Sequence, residues 1–428
     1  MNRAFHSLDK KQICCITFLL YNIFVVKWVM EMRIVIGPPV CGEELWDRED
    51  EINALWKALE TSSVLLTAPR RFGKTSVMLN LVDEPREGWQ AFYFDLEGMA
   101  QPEEFIAEVV LTLLRERKLP HLAHKLKKSI GNLVGRIEEI GIAEFKLSLR
   151  ERLAIAWQEK GRELIELLKS LETKTIIIVD ELPLFLNQMV KKQNDGSARE
   201  FLSWLRSLRQ APDLHEKVRW VTGGSIGIEK VLQRVGAGTQ EINDLERIHV
   251  GQFSEDSARG FIKALLQSAG VRRVPRKTLD KFLEVVGIPI PFFIQILVRE
   301  SLNEMERQNR RTLSEEMIER AYKEGVLAAY NRTYFEHYYE RLQDYYSPEL
   351  ADVAKTLLTE IARQKSLTKE ALWTQFQAQT QGRGDEDTFS YLLSDLENDF
   401  YITCDRNRQT FRFATKVLQD WWLRYHAP

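Results

Sequence analysis

Short apolar runs alternate with helically spaced segments through the first half of the chain, and purely helical spacing takes over in the second. The runs Val64-Leu65-Leu66, 91–94 (AFYF), 175–179 (TIIIV) and 218–222 (VRWVT) are bounded by polar turns. β-Branched and aromatic runs of this length, with helical stretches between them, predict buried parallel strands joined by crossover helices. A fifth strand is expected at 246–250. Ahead of the first strand, Ile52, Leu55, Trp56 and Leu59 recur at helical spacing. Residues 121–171 read as mostly helical, with 144–149 as a short edge strand. From Ser254 onward helices are expected at 254–268, 278–286 and 292–305, the last entered through Gly287-Ile288-Pro289-Ile290-Pro291. Ser347-Pro348 then supplies a cap and a proline at the first helical position. Helices at 349–363, 369–377 and 385–398 precede a hairpin pattern, 401–404 and 410–414, turning at Asp405-Arg406-Asn407-Arg408. Three helices and a two-stranded wing describe a winged helix. The expected division is an N-terminal apolar extension (1–31), an α/β core (32–252), a helical lid and linker (253–345) and a winged-helix domain (346–428).

Chemistry concentrates at residues 63–81, SVLLTAPRRFGKTSVMLNL. A strand enters a polar turn closed by Gly73-Lys74-Thr75, and an apolar helix leaves it. The pattern GxxxxGK[ST] holds phosphate because backbone N–H groups at a helix N-terminus surround it, the lysine reaches the outer phosphates and the hydroxyl binds magnesium. The candidate phosphate-binding residues are therefore Ala68, Pro69, Arg70, Arg71, Phe72, Gly73, Lys74, Thr75 and Ser76. Ala68 stands where the pattern has its first glycine, so the turn must avoid positive φ there or carry strain. A second signature ends the run 175–179 in Asp180-Glu181. On a strand next to the phosphate-loop strand, Asp180 is placed to hold a magnesium ion with Thr75, and Glu181 to polarise an attacking water. Ser225 or Thr222, at the end of the fourth strand, is a candidate contact to the γ-phosphate, the alternative being that both satisfy turn hydrogen bonds. Arg206, Arg209 and Arg234 are candidates for charge stabilisation in trans, against a simpler reading as surface arginines. Gly37-Pro38-Pro39-Val40 is an extended segment able to lie across an adenine ring, and otherwise a linker.

Charge narrows the partners. The net value of -2 gives no global attraction to nucleic acid or membrane, so any DNA contact must be local. The third helix of the winged-helix pattern carries Asp385, Glu386, Asp387, Asp395, Glu397 and Asp399 with no basic residue, and repels phosphate. Arg406, Arg408 and Arg412 on the wing are the remaining route to a DNA backbone. Four cysteines without metal-ligand spacing, Cys14, Cys15, Cys41 and Cys404, suit a reducing, cytoplasmic compartment. Cys41, beside the phosphate loop, reads as an inert small residue. Residues 13–30 are one membrane-like run, interrupted by Asn22 and Lys27, and are read as an over-extended gene start because Met30 and Met32 follow.

Taken in order, GPPVCGEELWDRED, APRRFGKTS, IIIVDELP, WLRSLRQ, VTGGSIGIEKVL and PIPFFIQIL resemble the motifs of the archaeal-type ATPase family, in the STAND branch of the AAA+ P-loop proteins. The resemblance spans residues 33–345, and many family members add a C-terminal winged helix. It implies that Val40, Gly42 and Arg48 lie near the adenine, that Gly73, Lys74 and Thr75 hold phosphate and magnesium, that Asp180 and Glu181 are the metal and water carboxylates, and that Pro291 touches the base. Three features depart from the family: Asp47 replaces a glycine before Arg48-Glu49, Pro289-Ile290 replace paired lid glycines, and no sensor-two arginine is evident. The fold class expected is α/β, an AAA+/STAND-like P-loop parallel sheet with a helical lid and a winged helix. The function implied is an ATP- and Mg²⁺-dependent, slowly hydrolysing switch acting on a protein partner or by self-association; an ATP-gated DNA-binding protein is the alternative.

Overall fold

The computed structural model describes residues 32–115, 142–170, 172–193, 195–224 and 227–427. The apolar runs form β1 (Ser63–Thr67), β2 (Trp89–Asp95), β3 (Lys174–Asp180), β4 (Val218–Gly224) and β5 (Leu245–His249), a parallel sheet in the order β2-β3-β4-β1-β5. Parallel strands require crossovers, and helices supply them. α1 (Glu49–Leu59) precedes β1, α2 (Lys74–Asp83) follows it, and α3 (Pro102–Arg115) follows β2. α4 (Ile142–Leu153) and α5 (Trp157–Leu167) lead into β3, while α6 (Leu182–Gln193), α7 (Asp195–Gln210) and α8 (Ile228–Arg234) flank β4.

Both sheet faces are covered, which is why the strands lack polar alternation. Ile176 and Ile178 join Val64, Leu66, Val77 and Met78 on one face; Ile177 and Val179 join Leu65, Phe105, Phe185 and Phe201 on the other. Two expectations are corrected. β4 lies between β3 and β1, so the Asp180 strand is not the neighbour of the phosphate-loop strand. Residues 144–149 are helical within α4, because Leu149 and Leu153 recur at helical spacing and are buried, and Lys146 and Arg150 pair with Glu108 and Glu104 of α3.

The lid comprises α9 (Glu255–Ser268), α10 (Arg276–Val286), α11 (Pro291–Arg307) and α12 (Glu315–Arg320). Ser254 caps α9 by accepting the Ser257 N–H, and Pro291 opens α11. α13 (Thr333–Tyr345) links the lid to the winged helix: α14 (Pro348–Gln364), β6 (Leu367–Thr368), α15 (Lys369–Gln379), α16 (Glu386–Asn398), β7 (Ile402–Asp405), β8 (Thr410–Phe413) and α17 (Lys416–Tyr425). The wing gains a third strand, since Leu367 and Thr368 pair with Phe411 and Thr410. α17 is a further element that the periodicity did not single out. It buries Trp421 and Trp422 completely and seats Trp421 against Phe335 of α13. One buried apolar cluster therefore runs from the sheet through the lid into the winged helix. Among the described residues no single helix is long and apolar enough to cross a membrane. Residues 13–30 lie outside the described residues.

The acidic helix α16 turns its carboxylates inward only toward its C-terminal end, while Asp385, Glu386 and Asp387 at its start are exposed. Asp395 lies 3.2 Å from Lys230 of α8, and Asp399 lies 3.5 Å from Arg341 of α13. Lys230 also sits 3.5 Å from the ring centre of Tyr346. Burial lowers the Lys230 pKa and raises that of Asp395, each toward its neutral form, so neither charge is well solvated without the other. Removing one member strands the second. Lys230→Met is expected to cost about 1–2 kcal/mol, less than a fully buried pair because both side chains keep some exposure. Urea unfolding measures the loss, and hydrogen exchange should locate it at α8 and α16. Loss of protection spread evenly over the sheet would argue against this contact as an interdomain tie.

Candidate functional site

β1 ends at Thr67 and the chain turns through Ala68-Pro69-Arg70-Arg71-Phe72 before α2 begins. Ala68 avoids the left-handed region; the positive φ angles fall at Arg71 (73°) and Gly73 (92°). An alanine is thus accommodated, and the conformational cost moves to Arg71. Its guanidinium lies over the Phe292 ring, 4.2 Å from the centre, which helps hold that backbone. Gly73 is the N-cap of α2 and offers no side chain to the first-turn N–H groups. Those donors remain available to an anion.

A cavity of about 380 Å³ opens over this turn. Three stretches line it: an N-terminal strap (Val35 and Gly37 to Val40), the loop (Pro69, Arg70, Arg71 and Gly73 to Ser76) and the first turns of α11 (Pro291, Phe292, Gln295), together with Glu97 and Glu181. The strap is tied at both ends. Val35 N–H donates to Gln295 Oε1 at 2.6 Å and Val40 N–H to Ser76 Oγ at 2.9 Å.

Asp180 lies beneath the cavity, 1% exposed. It forms an ion pair with Lys74, accepts the Thr75 hydroxyl at 2.8 Å, the Glu181 N–H at 2.8 Å and the Tyr93 phenol at 3.1 Å. Burial pushes its pKa up, but the Lys74 charge and these donors outweigh it and hold the carboxyl below its usual range. The same burial and carboxylate push the Tyr93 phenol up, so it stays a donor. Glu181 follows with φ of 55°, turned into the cavity. Close approach across β4 depends on its terminal glycines: a Cβ at Gly224 would stand 2.4 Å from Pro183 Cδ and 3.6 Å from Glu181 Oε2.

The candidate residues separate accordingly. Val40, Pro69, Arg70, Arg71, Gly73, Lys74, Thr75, Ser76, Glu181 and Pro291 line one cavity. Ala68 and Phe72 are buried outside its lining, Phe72 edge-on to Phe400 of the winged helix at 5.0 Å. Arg48 is likewise buried and is not among the lining residues. It donates to Phe72 O and Gly251 O, both at 2.9 Å, and its guanidinium lies over Phe253, so it braces the loop against the lid. Gly42, with φ of 56°, opens a short turn after the strap and is not among the lining residues either. Asp47 adopts φ of 51°, the conformation a glycine would supply, which aspartate tolerates better than most residues. Thr222 lies within β4, fully buried, and its hydroxyl donates to Val64 O of the neighbouring β1, a contact between strands; Ser225 lies outside the described residues. Arg209 is not a surface arginine: it is buried and paired with Asp244. Arg234 donates to Asn187 at 2.6 Å. Cys41 is exposed, but partial desolvation and the neighbouring Asp83 raise its thiol to about 11, which disfavours the thiolate.

Sequence reasoning missed Tyr93, Glu97, Phe292 and Gln295. Only Gln295 had a visible signal, a polar residue inside the apolar run PFFIQIL four positions after Pro291, hence on the same helix face. Among the described residues no cluster of three or more His, Cys, Asp or Glu is arranged to hold a metal alone. Magnesium would fit here only as Mg²⁺ usually binds in such sites, through few protein oxygens with phosphates completing the shell; the Thr75 hydroxyl and the Asp180 carboxylate, 2.8 Å apart, would be those oxygens.

No protein-family model and no curated protein matches the sequence. The fold is similar to that of a Walker-type ATPase of Pyrococcus abyssi, at 18% identity over 91% of this chain and 99% of that one, with a TM-score of 0.57. It is also similar to the ORC2 protein of Aeropyrum pernix, solved as ADPNP-ADP complexes, at 11% identity over 92% and 97%, with a TM-score of 0.53. At such identities the likeness concerns architecture alone: a five-stranded parallel sheet in the order β2-β3-β4-β1-β5, followed by a helical lid and a winged-helix-like C-terminal region.

His337 of α13 supplies a pH-dependent probe of the contact between loop and linker. Burial, then Arg70, Arg71 and Arg341, push its pKa down to about 2 from an ordinary 6.5. The native state therefore binds fewer protons than the unfolded chain between those values, and stability falls as pH drops below 6.5. The expected slope is about 1.4 kcal/mol per pH unit at most. His337→Asn should flatten the chemical-denaturation stability profile between pH 6.5 and 5, where carboxylates barely titrate; an unchanged profile would show that His337 is solvated in the native state.

Proposed function

We propose that this protein is an ATP-dependent switch that hydrolyses slowly and transmits its bound state through the lid and the winged helix to a protein partner. The observation that carries the reading is the position of the phosphate loop. Arg71 stacks on Phe292 of the lid and Phe72 on Phe400 of the winged helix, so two consecutive loop residues touch the two elements a switch would have to move. In this reading the N–H groups at the start of α2 and Lys74 bind phosphate, and Thr75 and Asp180 hold magnesium. The ion supplies charge neutralisation to the phosphate oxygens. Glu181 orients and polarises the attacking water. Arg209 is committed to Asp244, which leaves Arg206 or Arg234 of a neighbouring copy to stabilise charge in trans. Cysteine usage is consistent with a cytoplasmic setting.

A second reading, ATP-gated DNA binding, rests on the wing: the Arg406 and Arg408 side chains are 86% and 83% exposed, and Arg412 is exposed, while α16 is engaged with α8 and α13. Mobility-shift titrations at several salt concentrations separate the two. A DNA-binding protein loses affinity along a log–log slope set by the phosphates it neutralises, whereas absence of an ATP-dependent shift at low salt removes this alternative.

For the switch itself, Lys74→Ala should weaken binding of a fluorescent ATP analogue by roughly a hundredfold or more, since a charge-assisted contact is lost from a buried site. Glu181→Gln should retain binding and lower turnover by about a hundredfold or more. Turnover at the wild-type rate in Glu181→Gln would reassign the water-activating role. Hydrogen exchange at α16 that is the same with ATP and ADP would sink the switch.

A further inference from the structure

Gln295 lies in α11 among Phe292, Phe293, Ile294 and Ile296, and is 9% exposed. A buried carboxamide needs partners for both ends. Its oxygen has one, the Val35 N–H at 2.6 Å. That contact fixes the orientation, because a backbone donor requires the oxygen and not the nitrogen. The NH₂ group is left on the other side, where Gln295 lines the cavity, and among the described residues no acceptor takes its protons. The site thus presents an oriented donor in a cavity that Pro38 and Pro39 of the strap and Pro291 and Phe292 of α11 also line.

Resting on the nucleotide reading above, we propose that Gln295 is the base-reading residue, its Nε2 donating to the N1 edge of adenine. The phosphate end of the cavity is fixed by Gly73 to Ser76, so a bound nucleotide directs its base away from them, toward flat apolar surfaces suited to a purine ring. Adenine carries a lone pair at N1. Guanine carries a proton there and would meet Nε2 donor to donor, leaving two buried donors unpaired. Base recognition is also linked to the phosphate loop, since the strap that Gln295 holds at Val35 is held at its other end by Ser76.

Gln295→Glu isolates the reading function. A carboxylate oxygen still accepts the Val35 N–H, so the clasp survives, while the second oxygen turns the donor into an acceptor. Equilibrium titration with fluorescent ATP and GTP analogues should show the wild type favouring ATP by at least roughly tenfold. Gln295→Glu should weaken ATP binding by about 10–100-fold and invert the ATP/GTP ratio. Gln295→Met, which keeps the volume and removes both polar ends, should bring the ratio to within about threefold of unity; it serves where thermal unfolding shows the glutamate variant to be misfolded. Parallel loss of ATP and GTP, or an unchanged ratio in either folded variant, overturns base reading by Gln295 and leaves the nucleotide site standing. Failure of the wild type to bind either analogue overturns the nucleotide site, and this inference with it.

Discussion

The buried ion pair between Lys74 and Asp180 is the constraint from which the geometry of the site follows. Both side chains are almost fully removed from water, 6% and 2% exposed, and two charges in that position are tolerable only with their remaining bonding capacity met. Thr75, the Glu181 N–H and Tyr93 meet it for Asp180. The pair also spans a strand. Lys74 starts the helix after β1 and Asp180 ends β3, with β4 between them, so the end of β4 must present no side chain. A Cβ at Gly223 would stand 2.6 Å from Met78 Cε and 3.4 Å from Lys74 Cδ, and one at Gly224 would meet Pro183. The two glycines of VTGG are thus required by the packing of Met78, Leu66 O and Pro183 against the end of β4, between the elements that carry Lys74 and Asp180. A magnesium nucleotide would compete with the pair by offering the ammonium phosphate oxygens and the carboxylate a hydrated cation.

A second layer of residues holds the loop that carries Lys74. Arg48 fastens Phe72 O to Gly251 O, Trp46 donates to Ser257 and packs on Phe261 of α9, and the strap bridges Ser76 and Gln295. The last two connect core to lid directly, and Arg48 does so through its guanidinium over Phe253. The segment 32–48 thus acts as a belt whose residues reach the nucleotide site mainly by what they tie together. Two non-glycine residues near the loop, Asp47 and Arg71, accept left-handed backbone to make those ties, a cost of order 1–3 kcal/mol each that the surrounding contacts must offset.

The parts of this arrangement legible in the sequence were those with a local signal. Buried strands announce themselves as β-branched runs, and the phosphate loop and Asp180-Glu181 carry their chemistry in adjacent letters. Strand order is not local: nothing in 175–180 says that β4 will insert beside β1, and the adjacency expected for Asp180 was wrong for that reason. The strand expected at 144–149 failed because a short alternating stretch cannot be told from a helix face without its neighbour α3. Arg48 and Arg209 read as a ligand contact and a surface charge; both are buried braces, and burial of arginine is decided by carbonyls and carboxylates distant in sequence. Tyr93 and Glu97 reach the site only because β2 pairs with β3 in a register that aligns Asp95 with Asp180.

The acidic helix α16 shows how a local signal can be incomplete. Its charge argued against a DNA reader, and the structure supplies a use for part of that charge: Asp395 and Asp399 face Lys230 and Arg341, one cation from the core and one from the linker. An acidic face docked on basic groups is electrostatically closed to phosphate while it stays docked. Arg341 also belongs to the set of cations around His337 that includes Arg70 and Arg71 of the loop. Anionic phosphate placed beside that loop would change the field felt by Arg341 and, through it, by Asp399. A ligand shifts a conformational equilibrium only by its differential affinity for the two states, and in the proposed switch the same group of arginines would be the source of such a difference. Loop, linker and α16 are coupled by shared charge as well as by the Phe72–Phe400 contact. In the proposed switch the winged helix would therefore not need to touch a nucleotide to respond to one.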